Sequence, residues 1–405
     1  MNILFIHEVN WLGKVVFDIH SLAESLSVRG HDVYAIDYEN TWHRDNRSDL
    51  GSLKTREFTS ISRALKGSSV CLRRPGFIKI PGISRLSVAV TGYFEIRRII
   101  AEKQIDAVML YSVPTTGLQT IALARKYGIP VLFRSIDVLN QLVPVPMLRP
   151  ITKMLEKRVY SEVDMILSLT PGLTKYVTNL GADEGKVRLL LMPVDTDIFN
   201  TSVSTDKVRE KWKFAADDKI VLFMGTLFDF SGLDHYIPRF KQITEKIPTA
   251  KLLIVGDGPQ RSKLEDLISR LDLGKKVIIT GFEPYEMMPQ YINLASVCIN
   301  TFNINDTTRD IFPGKTVQFL ACGKPLVATT LPGMVAVIAG ESEGIVYANS
   351  PDDMIAKTIS TLDAPEESAQ IGRAGLAYVK RVHSYDNIAS QLEERIEEAI
   401  KNKHR

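Results

Sequence analysis

Short apolar runs, each followed by a helical pattern, recur along almost the whole chain, and this alternation limits what it can fold into. Residues 2–6, 32–36, 107–111, 130–133, 165–169 and 187–191 read as strands. Helical patterns fit between several of them, at 20–29, 117–127 and 151–161. A second series has strands at 220–224, 251–255, 277–280, 297–300, 326–329 and 344–347. Strands separated by helices imply parallel sheets covered on both sides. At 405 residues the chain is too long for one ordinary core. The expected fold is α/β, with two Rossmann-like, doubly wound parallel-sheet domains facing across a cleft. The expected boundaries are 1–197, 198–382 and a final piece at 383–405. In that piece Ile388, Leu392, Ile396 and Ile400 repeat every fourth residue. Such a helix has one apolar face, and the expectation is that it returns to the first domain.

Composition narrows the class. Hydrophobic residues make up 45% and charged residues 24%, as in globular proteins, and the formal charge of +3 is too small to indicate nucleic acid. The cysteines, Cys71, Cys298 and Cys322, are far apart and odd in number, without metal-ligand or disulfide spacing. A reducing cytoplasm is the expected setting. The first residues read as a buried strand and not a signal peptide. No apolar stretch approaches the roughly 18 residues that cross a bilayer. Membrane contact, if present, is expected to be peripheral. Residues 61–100 carry Arg63, Lys66, Arg73, Arg74, Lys79, Arg85, Arg97 and Arg98 against the single acid Glu95, with Phe77, Ile78, Ile80, Ile83 and Leu86 interleaved. That segment is the expected contact with an anionic membrane; the alternative is a solvated basic loop.

In doubly wound sheets ligands bind at the carboxyl ends of strands, so the candidate residues are sought there. Asp310 to Gly333 reads as a glycine turn, Pro313-Gly314, that opens a short helix with Lys315 and Thr316 in its first turn. A turn of this kind directs backbone N–H groups and a helix dipole at an anion such as a phosphate. A lysine there opposes the dipole unless an anion is near. Further glycine turns follow other strands: Gly225-Thr226 leading to Ser231, and Gly256-Asp257-Gly258. In the first half, Gly13 and Lys14 follow the first strand, and Asp137 follows the strand at 130–133, suitably placed for a hydroxyl group. His7 and His20 read as structural. There is no GxGxxG after the first strand, no phosphate-binding Walker loop, no HExxH, no GxSxG and no kinase motif set.

Six segments together resemble glycosyltransferase family 4, the retaining nucleotide-sugar transferases of GT-B fold. Arg29-Gly-His-Asp-Val33 is similar to the family's first helix-to-strand turn, and Tyr160 to Ser168 to its "ADxVIxxS" segment. Met192 to Phe199 resembles the "NGVDxxxF" linker, with Met-Pro in place of Asn-Gly. Val255-Gly-Asp-Gly-Pro259 with Arg261, Leu264 and Glu265 resembles "VGDGPxxxxLE". Phe312 to Lys315 and Ala321 to Ala328 resemble the donor-site helix. The resemblance implies a nucleotide-diphosphate sugar as co-substrate, no other cofactor, no metal and no nucleic acid. It implies a donor site built from Gly225, Thr226, Ser231, Gly256, Asp257, Gly258, Pro313, Gly314, Thr316 and Gln318. It also implies a glycan or lipid-linked acceptor near Gly13 and Lys14.

This chain departs from the family pattern at four places. Asp310 and Gln318 stand where two glutamates are usual. Thr226 and Ser231 stand where an arginine and a lysine usually meet the diphosphate. Lys315 is then the expected cation on the diphosphate, with Arg309 or Arg261 as helpers, and Lys315, Asp310 and Asp137 are the expected catalytic residues. The alternatives are a non-catalytic partner subunit of the same fold or a sugar-nucleotide epimerase.

Overall fold

Apolar runs rich in Val, Ile and Leu form parallel strands in both halves of the chain. The computed structural model describes residues 1–38, 49–80, 83–143 and 145–404. Its first strands are β1 (Asn2–Ile6), β2 (Asp32–Ile36), β3 (Gly51–Ser52), β4 (Arg56–Ile61), β5 (Val70–Arg74), β6 (Phe77–Ile78), β7 (Ala107–Leu110), β8 (Val131–Ser135), β9 (Met165–Ser168) and β10 (Val187–Leu189). Interleaved helices are α1 (Asp18–Val28), α2 (Ser84–Lys103), α3 (Gly117–Lys126), α4 (Arg149–Glu162) and α5 (Pro171–Asn179). The second series has β11 (Lys219–Met224), β12 (Ala250–Val255), β13 (Val277–Gly281), β14 (Val297–Asn300), β15 (Leu326–Thr329) and β16 (Ile345–Ala348). Its helices are α6 (Asp206–Lys211), α7 (Leu233–Lys246), α8 (Arg261–Arg270), α9 (Met288–Leu294), α10 (Lys315–Ala321), α11 (Pro332–Val335), α12 (Pro351–Asp363) and α13 (Pro365–Val382); α14 (Tyr385–Lys403) follows.

The chain divides into two units, Met1–Pro193 with Tyr385–Arg405, and Val194–Ser384. The first holds an eight-stranded sheet in the order β10-β9-β8-β7-β1-β2-β5-β4, parallel except for β4 against β5. The second holds a six-stranded parallel sheet in the order β13-β12-β11-β14-β15-β16. Side chains alternate across the first sheet as strand geometry requires. Ile3 and Phe5 of β1 pack with α1 and α14, while Leu4 and Ile6 pack in the layer of α2, α3 and α4. The first boundary falls after Pro193 and not after 197, because the linker is held by the second unit. The Val194 N–H donates to the His383 carbonyl at 2.9 Å. Asp195 accepts from the N–H groups of Asp197 and Ile198 at 2.8 and 3.0 Å.

The last helix belongs to the first unit. Ile388, Leu392, Ile396 and Ala399 are buried in its core. Glu393 receives Arg29 at 2.6 Å and His31 at 2.7 Å, and these partners hold its carboxyl below the usual range. Arg188 meets Glu398 at 2.8 Å and Lys403 meets Asp164 at 2.7 Å.

Residues 61–100 are not an exposed basic loop. They contain β5, β6 and most of α2, with residues 81 and 82 outside the described ones. Arg73 is buried and reaches Glu95 at 3.0 Å, and Arg74 is buried in a two-pronged pair with Asp37 at 2.8 and 2.6 Å. Burying a guanidinium requires a paired, hydrogen-bonded carboxylate. These two arginines therefore hold the unit together and offer nothing to a membrane.

Leu392→Ala should cost about 2–5 kcal/mol by leaving a cavity under α14. Calorimetry should show the transition of the first unit moving to lower temperature while that of the second stays. An unmoved first transition would remove α14 from that core.

Candidate functional site

In the second unit the loops after β11, β12 and β13 are laced to one another. The Gly225 N–H donates to Val255 at 2.9 Å, the Leu227 N–H to Asp257 at 3.0 Å and the Gly256 N–H to Gly281 at 3.1 Å. Gly256 has φ +150°, and a Cβ there would stand 2.0 Å from the Gly225 carbonyl oxygen. A Cβ at Gly258 would stand 2.7 Å from the Leu227 backbone nitrogen. These glycines therefore serve the packing of one loop on the next. Asp257 is exposed, and its carboxylate accepts from the Gly258 N–H at 2.7 Å and from Arg261 at 2.8 Å. Arg261 also binds Glu265 at 2.8 Å, so two carboxylates already balance this helper cation. Thr226 is exposed. Ser231 is only 2% exposed, and its carbonyl accepts from the Thr301 hydroxyl at 2.6 Å.

Lys315 is not the solvent-facing lysine its place in a first turn suggests. Its ammonium is buried, although the stem keeps some exposed surface. Nζ stands 3.9 Å from the ring centre of Phe223 and 4.4 Å from that of Phe302, and has no hydrogen-bond partner among the described residues. A Cβ at Gly225 would lie 3.5 Å from Nζ. The rings attract a cation, but loss of water without an acceptor disfavours the charge more strongly. Burial pushes the ammonium down to about 7, with the Cys298 side chain opposing weakly. The Thr316 hydroxyl, one residue on, and both amide atoms of Asn300, the last residue of β14, are likewise buried without a partner among the described residues. α10 has only seven residues, and Lys315 stands in its first turn. Pro313 is buried and accepts the Thr316 N–H at 2.9 Å, and Gly314 starts the helix. Gln318 is half-buried on α10, and Asp310 is half-buried in the preceding turn, its backbone against Gly333.

Asn300, Phe223 and Phe302 escape a motif search. A lone amide closing the apolar strand 297–300 was the available signal for Asn300. Phe223 and Phe302 read as ordinary core, and nothing in the sequence marks them as facing a lysine.

In the first unit, Asn10 shapes the loop after β1. Its side-chain oxygen accepts from the N–H groups of Leu12 and Gly13 at 3.1 and 2.9 Å and from Arg74 at 2.7 Å. Gly13 and Lys14 are thereby held at the surface. Past the end of β8, burial pushes the Asp137 carboxyl up to about 6, the negative Asp18 adds to this, and Lys14 opposes it. Under it lies a closed network: Arg134 grips Asp18 at 3.0 and 2.7 Å, and the Tyr111 hydroxyl donates to Asp18 at 2.7 Å. Arg134 also donates to the Leu190 carbonyl at 2.6 Å, tying β8 to the chain beyond β10. Burial lowers His7 to about 4 and His20 to about 3, so both are neutral at pH 7.

Among the described residues no three His, Cys, Asp or Glu side chains are grouped to hold a metal ion, and no helix is long and apolar enough to cross a membrane.

Two family profiles match in tandem. Residues 15–191 match the family described as a glycosyl transferase 4-like domain, and residues 204–377 match glycosyl transferases group 1. The chain is 25% identical over 231 residues to an uncharacterized glycosyltransferase of Methanocaldococcus jannaschii, 56% of this chain and 58% of that one. It is 24% identical over 241 residues to a GDP-mannose-dependent monoacylated alpha-(1-6)-phosphatidylinositol monomannoside mannosyltransferase of Corynebacterium glutamicum, 58% of this chain and 62% of that one. The chain thus spans about half the length of the curated relatives it matches. Among solved structures, Anabaena HepE in complex with UDP and glucose superimposes with a TM-score of 0.72 at 15% identity, over 98% of this chain and 99% of that one. The tandem profiles and the two parallel-sheet units place the chain in glycosyltransferase family 4, with the GT-B fold.

Proposed function

We propose that the chain transfers a sugar, with retention, from a nucleotide-diphosphate sugar on the second unit to a hydroxyl of a glycan or lipid-linked acceptor on the first. The observation that carries this reading is the group of unpartnered buried polar atoms, Lys315 Nζ, Thr316 Oγ1 and the Asn300 amide, at the carboxyl edge of the second sheet. Buried polar groups are normally satisfied, and a local concentration of exceptions marks a place that a ligand completes.

The chemistry follows from the charges. As the bond between the sugar C1 and the diphosphate oxygen breaks, negative charge builds on the diphosphate. Lys315 is the cation placed to stabilise it, in a site with little water to screen it. The acceptor oxygen bonds to C1 on the same face, and its proton passes to the leaving phosphate, so no protein base is assigned. Asp310 accepts from sugar hydroxyls, and Gln318 hydrogen-bonds the ribose without a charge. Asp137 and the Gly13–Lys14 loop orient the acceptor. No step uses a metal. UDP in HepE and GDP-mannose in the name of the C. glutamicum relative make UDP- and GDP-sugars the first donors to screen. The free cysteines suit a reducing compartment, and the cytoplasmic side is the proposed setting.

A specific observation also favours a non-catalytic partner subunit: Thr226 and the buried Ser231 replace two cations, and Arg261 is already paired. Transfer or donor hydrolysis by the purified chain decides between the two. The epimerase reading ranks below both, because the first-unit segments follow the transferase pattern.

Lys315→Met should lower turnover by about 10²-fold or more while stabilising the fold. The unfolded lysine keeps its proton up to about 10.5 and the folded one only to about 7, so native stability rises as pH climbs between those values. Methionine removes that penalty, and the gain should be largest below pH 7. Unchanged turnover and unchanged nucleotide affinity would take Lys315 out of the mechanism.

Nucleotide binding at pH 8 should take up a proton, because the anion recharges Lys315. Titration calorimetry in buffers of different ionisation enthalpy reads this directly. UDP or GDP affinity should also weaken by up to about tenfold per pH unit above 7. Binding with no proton uptake contradicts the assignment.

Asp137→Asn should raise the acceptor KM and leave donor affinity alone. Donor affinity falling in step with acceptor affinity would place Asp137 elsewhere.

A further inference from the structure

We propose that the second unit carries a site for a neutral sugar residue, separate from the place where Lys315 stands. The site is a cavity of about 170 Å³ between the starts of α7 and α12 and the loop after β14. Backbone contacts fix its walls. Gly232 opens α7 at φ +71°, and a Cβ there would stand 1.8 Å from the Thr301 carbonyl oxygen. Only glycine lets the helix start so close to the loop. The Thr301 hydroxyl donates to the Ser231 carbonyl at 2.6 Å, and the Asn303 N–H to the Phe230 carbonyl at 2.9 Å. On the other side Asn349 and Ser350 lead into α12. The Asp353 carboxylate there accepts the Asn349 N–H at 2.9 Å, and the Ser350 hydroxyl accepts the Asp353 N–H at 3.1 Å.

The lining combines two kinds of group. Tyr236, Phe302 and Met354 supply apolar surface. His235, Asn303, Thr329 and Asn349 supply side chains that both donate and accept. The His235 imidazole, the Asn303 amide and the Thr329 hydroxyl have no hydrogen-bond partner among the described residues. Asn349 Oδ1 takes the Thr330 hydroxyl at 2.8 Å, which leaves its NH2 group to donate. The aromatic surface continues beyond the cavity. Phe230 meets Phe302 edge to face with ring centres 5.4 Å apart, and it stacks on Phe228 at 5.0 Å. Phe228 is 41% exposed. A run of rings thus joins the cavity to the surface.

These groups select a neutral ligand. No lysine, arginine, aspartate or glutamate lines the cavity. The ionisable residues in the first turns of the two helices are acids, Asp234 on α7 and Asp352 and Asp353 on α12. A phosphate or carboxylate would meet these acids with no cation in the lining to offset them. A pyranose fits. Its C–H faces are apolar and rest on ring and thioether surface. Its hydroxyls each donate and accept, as do the amides, imidazole and hydroxyl around the cavity. Phe228 offers a further apolar face to the next sugar of a chain. The cavity lies at the same edge of the sheet as the donor residues but is lined by none of Lys315, Thr226, Asp257, Asp310 and Gln318. The inference stands apart from the transfer reading, since binding is measured at equilibrium without a donor.

The test is an NMR titration of the full chain, isotopically labelled in its methionine methyl groups. Met354, buried against the cavity, is the reporter, and Met354→Leu identifies its signal. The probes are glucose, mannose, galactose, N-acetylglucosamine, maltose and cellobiose. At least one should shift the Met354 signal saturably, and neither UDP nor inorganic phosphate should displace it. Asn303→Ala with Asn349→Ala should weaken that binding at least about tenfold, and His235→Ala about fivefold. Both variants should keep the parent melting temperature, because His235 and Asn349 are exposed and the Asn303 amide holds no other group. A Met354 signal that no probe moves overturns the proposal, as do variants that bind like the parent. So does displacement of the sugar by UDP, which would make the cavity part of the donor site.

Discussion

A parallel strand buried on both faces has only its ends for polar work, and both units are built under that restriction. The strands at the centre of each sheet are apolar on both sides, because helices cover both faces. A charged group in such a sheet must either be paired inside it or stand at a strand terminus. The first unit does both. Arg134, at the end of β8, is wholly buried and pairs with Asp18, while Asp137, two residues past the strand, is shifted by burial and by the charge of Asp18. The second unit places Asn300 at the end of β14 and Lys315 and Thr316 at the start of α10, each with buried polar atoms.

That restriction also explains what could be read from the sequence. Strands such as 2–6 and 297–300 are short, apolar and bounded by turns, so they announce themselves, and their ends locate the candidate residues. Helix α14 was legible from its four-residue spacing alone. The pair β4 and β5 was not, because β4 is an exposed edge strand with mixed polarity and lies antiparallel in an otherwise parallel sheet. Helix α2 was hidden by apolar residues on both its faces, where a periodic stripe normally shows. Arg73 and Arg74 looked like a basic surface because their partners, Glu95 and Asp37, lie in other elements. Asp18 and Arg134 are 116 residues apart, and no local pattern connects them. For Lys315 the sequence supplied the position and not the environment: burial against Phe223 and Phe302 depends on how two strand ends and a loop meet.

The environment of Lys315 sets stability against function. A buried amine without an acceptor lowers stability whenever it is charged, and an apolar residue of similar length would suit the cavity better. Retaining the lysine makes sense where an incoming anion restores its charge. Asp137 shows the reverse case, an acid that burial and Asp18 hold partly protonated near neutrality. Each unit thus keeps a titratable side chain that burial shifts towards neutrality.

Helix α14 has a consequence for how the molecule is made. Its residues complete the core of the first unit, yet they follow the whole of the second unit in the chain. As the polypeptide leaves the ribosome, the second unit has all its strands and helices before the first has its last one. Until residues 388–399 emerge, Leu22, Leu26 and their neighbours on α1 face solvent without their cover. The half that is translated first is therefore the half that matures last, and it spends the interval as the more aggregation-prone part of the nascent chain.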